Sequence, residues 1–165
     1  MKISRHPLRG AATRFAIPLL AVPLLAGCGG TPAGPSSATP PRADCTTFTP
    51  DAPCGSFASV GGTTGGKDLT WAAKGAVVVK LESVSGQRML SVRTPCNPLS
   101  GPADVTDGVL TVKELASGAM GCAGENSAQE KWVTDLLHKP VTLKYDAGKL
   151  TWSNGEDSLV FAPQS

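Results

Sequence analysis

Histidine is nearly absent from this 165-residue chain, which has only His6 and His138. A Ser-His-Asp triad, a Cys-His pair or a His-based metal centre therefore has almost nothing to be built from. Aromatic residues make up 5% of the chain, which argues against a platform for stacking bases or sugars. The five cysteines contain no C-x2-C pair, so the spacing of a zinc site is missing as well. A membrane-spanning helix needs about 20 apolar residues. The apolar run from Phe15 to Leu25 is shorter than that, and Pro18 and Pro23 interrupt it.

Acidic residues are also missing from the N-terminal part. None precedes Cys28, whereas Lys2, Arg5, Arg9 and Arg14 do. A basic start, a short apolar run and small residues at its end are the parts of a secretory signal peptide. Leu25-Ala26-Gly27-Cys28 resembles the lipobox of bacterial lipoproteins. That resemblance implies that residues 1–27 are cleaved off and that the Cys28 sulfur carries a diacylglyceryl group. The protein is then expected on the extracytoplasmic face of the cell membrane, with the lipid as its membrane partner. Burial of two or more acyl chains, at about 0.8 kcal/mol per CH2, makes such an anchor firm.

Removal of residues 1–27 changes the charge balance. Of 15 Lys+Arg and 13 Asp+Glu, four basic and no acidic residues are lost, which leaves a net charge of −2. No basic surface remains to attract nucleic acid or anionic lipid. His138 becomes the only histidine.

Residues 29–43, GGTPAGPSSATPPRA, hold no large apolar side chain apart from proline. Together with Cys28 they form an expected tether, residues 28–43, that cannot bury a core. Residues 44–165 are long enough for one domain. Cys45, Cys54, Cys96 and Cys122 form an even set, which in an exported protein reads as disulfides. Three pairings are open, and local closure favours Cys45 with Cys54. On the loop-entropy model that bond and a Cys96–Cys122 bond contribute roughly 2.7 and 3.6 kcal/mol.

Alternation of apolar and polar residues predicts strands at 76–82, 89–93, 109–115, 141–145, 150–152 and 159–161. Asp107-Gly108, Asp146-Ala147-Gly148 and Asn154-Gly155 read as hairpin turns between them. Gly61 to Gly66 reads as a flexible loop, because no Gly-Lys-Ser/Thr ending makes it a phosphate loop. One helix interrupts the strands. Ser127-Ala128-Gln129-Glu130 has the form of a capping box, and Trp132, Val133, Leu136 and Leu137 recur on one helical face. His138 and Lys139 suit a helix C-terminus, and Pro140 ends it. The order predicts an α+β fold: a curved antiparallel sheet, half-barrel-like, covered by one main helix.

Several short motifs from Pro95 onward resemble the META domain, also called the HslJ-like family. Cys96-Asn97-Pro98-Leu99-Ser100-Gly101 is similar to its G-C-N-x-x-x-G element, and Asp107 to Val112 to the strand after it. Leu115 to Cys122, LASGAMGC, is similar to L-A-S-T-x-M-A-C. Glu130, Trp132 and Leu136-Leu137 stand where the family has a Glu, an aromatic and Leu on its helix. Leu150-Thr151-Trp152 and Leu159-Val160-Phe161 resemble its closing strands. Pro95 and Gly118 depart from the pattern, replacing a Gly and a Thr. The resemblance implies a single domain of antiparallel strands with one helix, and it places Cys96 near Cys122. It implies no reaction, only a loose association with envelope and stress proteins.

Candidate chemistry is sparse. His138 reads as a helix-end charge rather than a general base. Glu156-Asp157 reads as a solvated acidic pair, and Asp104 with Asp107 as a turn rather than a calcium site. Trp71, Trp132 and Trp152 read as core. The stretch from Asn97 to Gly101 is a candidate recognition loop, with Asn97 also able to cap local backbone. No catalytic residue, metal or cofactor is assigned. The expectation is a non-enzymatic envelope lipoprotein that binds a protein partner or supports an envelope or stress function. The alternative is a carrier of a small apolar or lipid ligand inside the sheet, and an envelope hydrolase comes third.

Overall fold

The structure is a computed structural model that describes residues 44–164. The expected signal peptide, Cys28 and the tether lie outside the described residues. Eleven strands run β1 Asp44–Cys45, β2 Ser56–Thr64, β3 Lys67–Asp68, β4 Val78–Val84, β5 Gln87–Arg93, β6 Pro98–Thr106, β7 Val109–Val112, β8 Ala116–Ser117, β9 Val141–Asp146, β10 Lys149–Asn154 and β11 Asp157–Pro163. A 3-10 segment covers Thr70–Lys74, and the helix α1 covers Glu125–Leu137.

Every pairing between strands is antiparallel. Eight strands follow one another around a ring, β2-β4-β5-β6-β7-β9-β10-β11, and β11 returns to β2. The sheet is therefore a closed barrel, and the expected half-barrel is corrected. Closure satisfies the backbone groups that an open edge would leave bare. Short β1, β3 and β8 pair onto β4, β2 and β6.

The strand that closes the barrel is the one that glycine disguised. Gly61 to Thr64 belong to β2 rather than to a flexible loop, and only Gly65-Gly66 make the turn to β3. Phe57 and Ser59 of β2 are buried. Ser59 Oγ accepts the Val77 N–H at 3.1 Å, so this inward hydroxyl is satisfied. The ladder to β11 slips between Ser59 and Gly61, leaving Val60 bulged and 42% exposed. At Gly62 a Cβ would stand 2.5 Å from the Ser158 carbonyl oxygen and 2.9 Å from Leu159 Cδ2. Glycine is needed there for the close approach of β11.

The alternation read from the sequence describes the rest of the wall. Val77, Val79 and Leu81 point inward, as do Leu90, Val92, Leu110, Leu150, Leu159 and Phe161. The closing meander β9-β10-β11 runs through two-residue turns, with Asp146 opposite Lys149 and Asn154 opposite Asp157. Inward side chains fill the interior, as an eight-stranded barrel permits. Phe48, Phe57, Trp152 and Phe161 form its largest part. Trp152 lies 5.0 Å from Phe161 and 6.2 Å from Phe48, ring centre to ring centre.

Helix α1 adds Val133, Leu136 and Leu137 to the same core. It starts at Glu125, two residues before the expected cap, and Ser127 makes no capping bond. The capping box is thus corrected: with Gly124 as the N-cap, Ser127 and Glu130 both lie inside the helix. Both expected disulfides are present: Cys45–Cys54 with Cα atoms 5.7 Å apart, and Cys96–Cys122 at 6.0 Å.

Candidate functional site

Glu130 lies six positions past the Gly124 N-cap, too far along α1 to reach the helix start, and it meets Asn97 instead. Asn97 is 5% exposed and immediately precedes β6. Its backbone N–H donates to Glu130 Oε2 at 2.8 Å, and its amide Nδ2 donates to the same oxygen at 3.1 Å. Nδ2 also donates to the Met120 carbonyl at 3.1 Å, while Oδ1 accepts the Met120 N–H at 2.8 Å. Ser117 Oγ donates to Glu130 Oε1 at 3.1 Å. Charge-assisted bonds of this kind are about twice as strong as neutral ones.

This network ties β6, β8, the 118–122 loop and α1 together beside the Cys96–Cys122 bond. A Cβ on Gly118 would come within 2.8 Å of Asn97 Oδ1. The departure from Thr at this position therefore has a local rationale, since the smaller residue makes room for the amide. The stretch from Pro98 to Gly101 is strand rather than loop. Gly101 is buried opposite Leu90, and a Cβ on it would run into the Glu114 carbonyl. The expected recognition loop is corrected in form: the hydrogen bonds of Asn97 point inward, and Gly101 serves close packing.

A second polar region is the cleft of about 530 Å³ lined by residues including Arg88, Asp104 and Lys113. Lys113 Nζ lies 2.9 Å from Asp104 Oδ2. Its hydrogen bond and then its charge hold the Asp104 carboxyl below the usual aspartate range, and Asp104 raises the Lys113 pKa in turn. Because the Asp104 pKa is lowered on folding, its contribution is present at neutral pH and fades as pH falls through that lowered value. Because the Lys113 pKa is raised, the contribution is lost again only as alkaline pH passes the raised value. Both groups are exposed, so salt screens the pair. An NMR titration of the Asp104 carboxyl is expected to move up toward the ordinary aspartate range in Lys113→Ala, with Arg88 still holding it down in part. An unchanged titration would remove the pair.

The third region is apolar. Two of the three tryptophans are not core as expected. Trp71 and Trp132 are half-buried, pack edge to face with ring centres 5.8 Å apart, and line a surface groove of about 340 Å³. Thr70, Glu125, Ala128 and Gln129 complete it. Trp132 Nε1 donates to Thr64 Oγ1 at 3.3 Å, and that hydroxyl donates to Asp157 Oδ1 at 2.5 Å. The ring is thus oriented by the β2–β11 wall, while one side of it faces the groove. Sequence periodicity could not find this site, because Trp71 and Trp132 come together only when the 3-10 segment meets α1.

Other sequence candidates stand apart. His138 is exposed at the C-terminal end of α1. Asp107 occupies the turn between β6 and β7, and Glu156 the turn before β11. Among the described residues no three His, Cys, Asp or Glu side chains cluster as a metal site, and no helix is long and apolar enough to cross a membrane.

The fold and its staple define the class: a small disulfide-bonded, closed antiparallel barrel braced by one helix through an Asn–Glu network. The META domain family model matches residues 59–165, and the chain belongs to that family. An NMR structure of a protein from Burkholderia xenovorans is similar, with a TM-score of 0.55 and 21% identity over 67% of this chain and 82% of that one. A second NMR structure is 22% identical over 66% of this chain and 87% of its own, with a TM-score of 0.49. The first likeness shows the fold. No curated protein matches the sequence.

Proposed function

We propose that this protein is a lipid-anchored envelope lipoprotein whose META domain binds a protein partner without catalysing a reaction. The Trp71–Trp132 groove carries this reading: it is concave, mostly apolar and held in shape by the barrel wall. Half-exposed tryptophans in such a setting are the side chains that most often supply binding energy at interfaces. Anchoring at Cys28 is supported by the lipobox-like sequence, and the two disulfides fit an oxidising compartment. The family motif residues support the fold instead, since Asn97 and Glu130 spend their hydrogen-bonding groups on each other and on Met120 and Ser117.

The carrier reading is weaker. A small apolar ligand inside the barrel needs volume that Phe48, Phe57, Trp152 and Phe161 occupy. The test uses the full chain as bait on solubilised membranes. Ala128 is exposed on α1, so Ala128→Glu puts a long charged side chain into the groove without touching the core. Capture of a reproducible partner is expected to fall at least tenfold in Ala128→Glu and to persist in Lys113→Ala. Equal capture by all three chains, or no reproducible partner, contradicts the proposal.

A further inference from the structure

The groove has a length and a charge pattern that suit one kind of occupant. Trp132 and Glu125 are seven residues apart on α1, a separation of about 10 Å at 1.5 Å per residue. The two indoles form the apolar end, and among the described residues Glu125 is the only charged one lining the groove. Polyproline segments dock on aromatic-lined grooves because their extended shape is already set and little entropy is lost on binding. Such a segment advances about 3.1 Å per residue, so three residues plus a long basic side chain cover the same 10 Å. A proline pair followed by arginine would place its rings on the indoles and its guanidinium on Glu125. Arg–carboxylate pairing of this type is directional and strong.

This chain itself carries that sequence, as Pro40-Pro41-Arg42 within TPAGPSSATPPRA. The register of the barrel decides which copy could supply it. Asp44 pairs with Ser83, three positions beyond the Ser56–Lys80 pair, while Thr64 beside Trp132 lies eight positions from Ser56 in the other direction. Allowing one position for the bulged Val60, the two points are about ten strand residues apart, which is about 33 Å along the strand and about 25 Å along the axis of a tilted barrel. Pro40, the far end of the segment, is four residues from Asp44 and can lie no more than about 14 Å from it. Its own groove is out of its reach.

We propose that the Trp71–Trp132 groove receives the Pro40-Pro41-Arg42 segment of a second copy of this chain, linking neighbouring molecules in one membrane. This rests on the reading of the groove as a docking surface and names the partner. Anchored copies share a plane, so their effective concentration is high and a weak single contact suffices.

The test titrates a synthetic peptide of residues 31–43 into the full chain in detergent and follows indole fluorescence. A saturable change is expected with the native peptide, and none with the Pro40→Ser/Pro41→Ser peptide. The Arg42→Glu peptide is expected to bind the native chain at least fivefold more weakly and to recover on a Glu125→Lys chain. Glu125 is exposed, so this charge swap reads binding rather than folding. No saturable change with the native peptide, or equal binding by a scrambled one, overturns the proposal. If the peptide fails while Ala128→Glu still abolishes capture of a membrane partner, the copy-to-copy assignment falls and the docking surface stands. If both fail, the groove reading falls with it.

Discussion

Asn97→Ala is expected to lower the stability of the domain by about 3 kcal/mol, read as a shift of the urea midpoint with little change in slope. The magnitude follows from what the amide leaves behind. Met120 loses a partner for both its N–H and its carbonyl, and Glu130 loses a donor to a partly buried carboxylate. A hydrogen bond to a charged group contributes about 1.5–3 kcal/mol and a neutral one about 0.5–1.5 kcal/mol; Met120 is exposed, so water replaces part of what its backbone loses. Asn97→Asp separates shape from hydrogen bonding, because it keeps the size and places a second carboxylate against Glu130. Like charges in contact raise the pKa of one of them, so the deficit of Asn97→Asp is expected to shrink as pH falls through that raised value. A deficit of Asn97→Asp that is constant with pH would show that Glu130 is not its neighbour. Coupling with Glu130→Gln is expected to be non-additive, as for residues that share one network.

Trp152→Ala is expected to cost about 4 kcal/mol, in the range for emptying an aromatic site in a core. Trp152 is the largest of the fully buried side chains, and it touches the Phe48 and Phe161 rings. Trp152→Phe is expected to cost under about 1.5 kcal/mol, as for a swap that conserves most of the volume. Part of the lost area is offset, because Trp152 Nε1 is buried without an acceptor among the described residues and phenylalanine removes that donor. Equal losses in the two variants would mean that the indole N–H is satisfied and that ring volume is not what the site depends on.

The sequence was informative where one side of a strand is wet. In β5, β9 and β10 the inward Val, Leu and Trp alternate with mostly polar residues, and in β4 and β11 the same alternation holds with half-buried Val78, Val160 and Ala162 on the outer side; the pattern reads directly as barrel wall. It was misleading where the barrel closes and turns. β2 contains Gly61 and Gly62, and β6 contains Pro98, Gly101 and Pro102. Those residues signal loops in general, yet here Gly62 and Gly101 admit neighbouring backbone. A missed β2 turns a barrel into a half-barrel, which was the expectation.

The site was legible in part. Asn97 and Glu130 are visible as motif residues, but the three-residue spacing from Ser127 to Glu130 suggests local capping, and only the fold brings Asn97 and Glu130 together across 33 residues of chain. The tryptophans followed a core pattern because one edge of each does pack on the core. Nothing along the chain reports that the other edge of Trp71 and Trp132 stays open.

The central claim is that this groove, rather than the motif network or the Asp104–Lys113 cleft, is the surface through which the domain works. Site-specific photocrosslinking in intact membranes addresses it directly, with the probe at Gln129 in the groove or at Lys113 in the cleft. A discrete adduct from Gln129 that Ala128→Glu abolishes, with none from Lys113, is the predicted result. An adduct from Lys113 alone, or no adduct from Gln129, would contradict the claim.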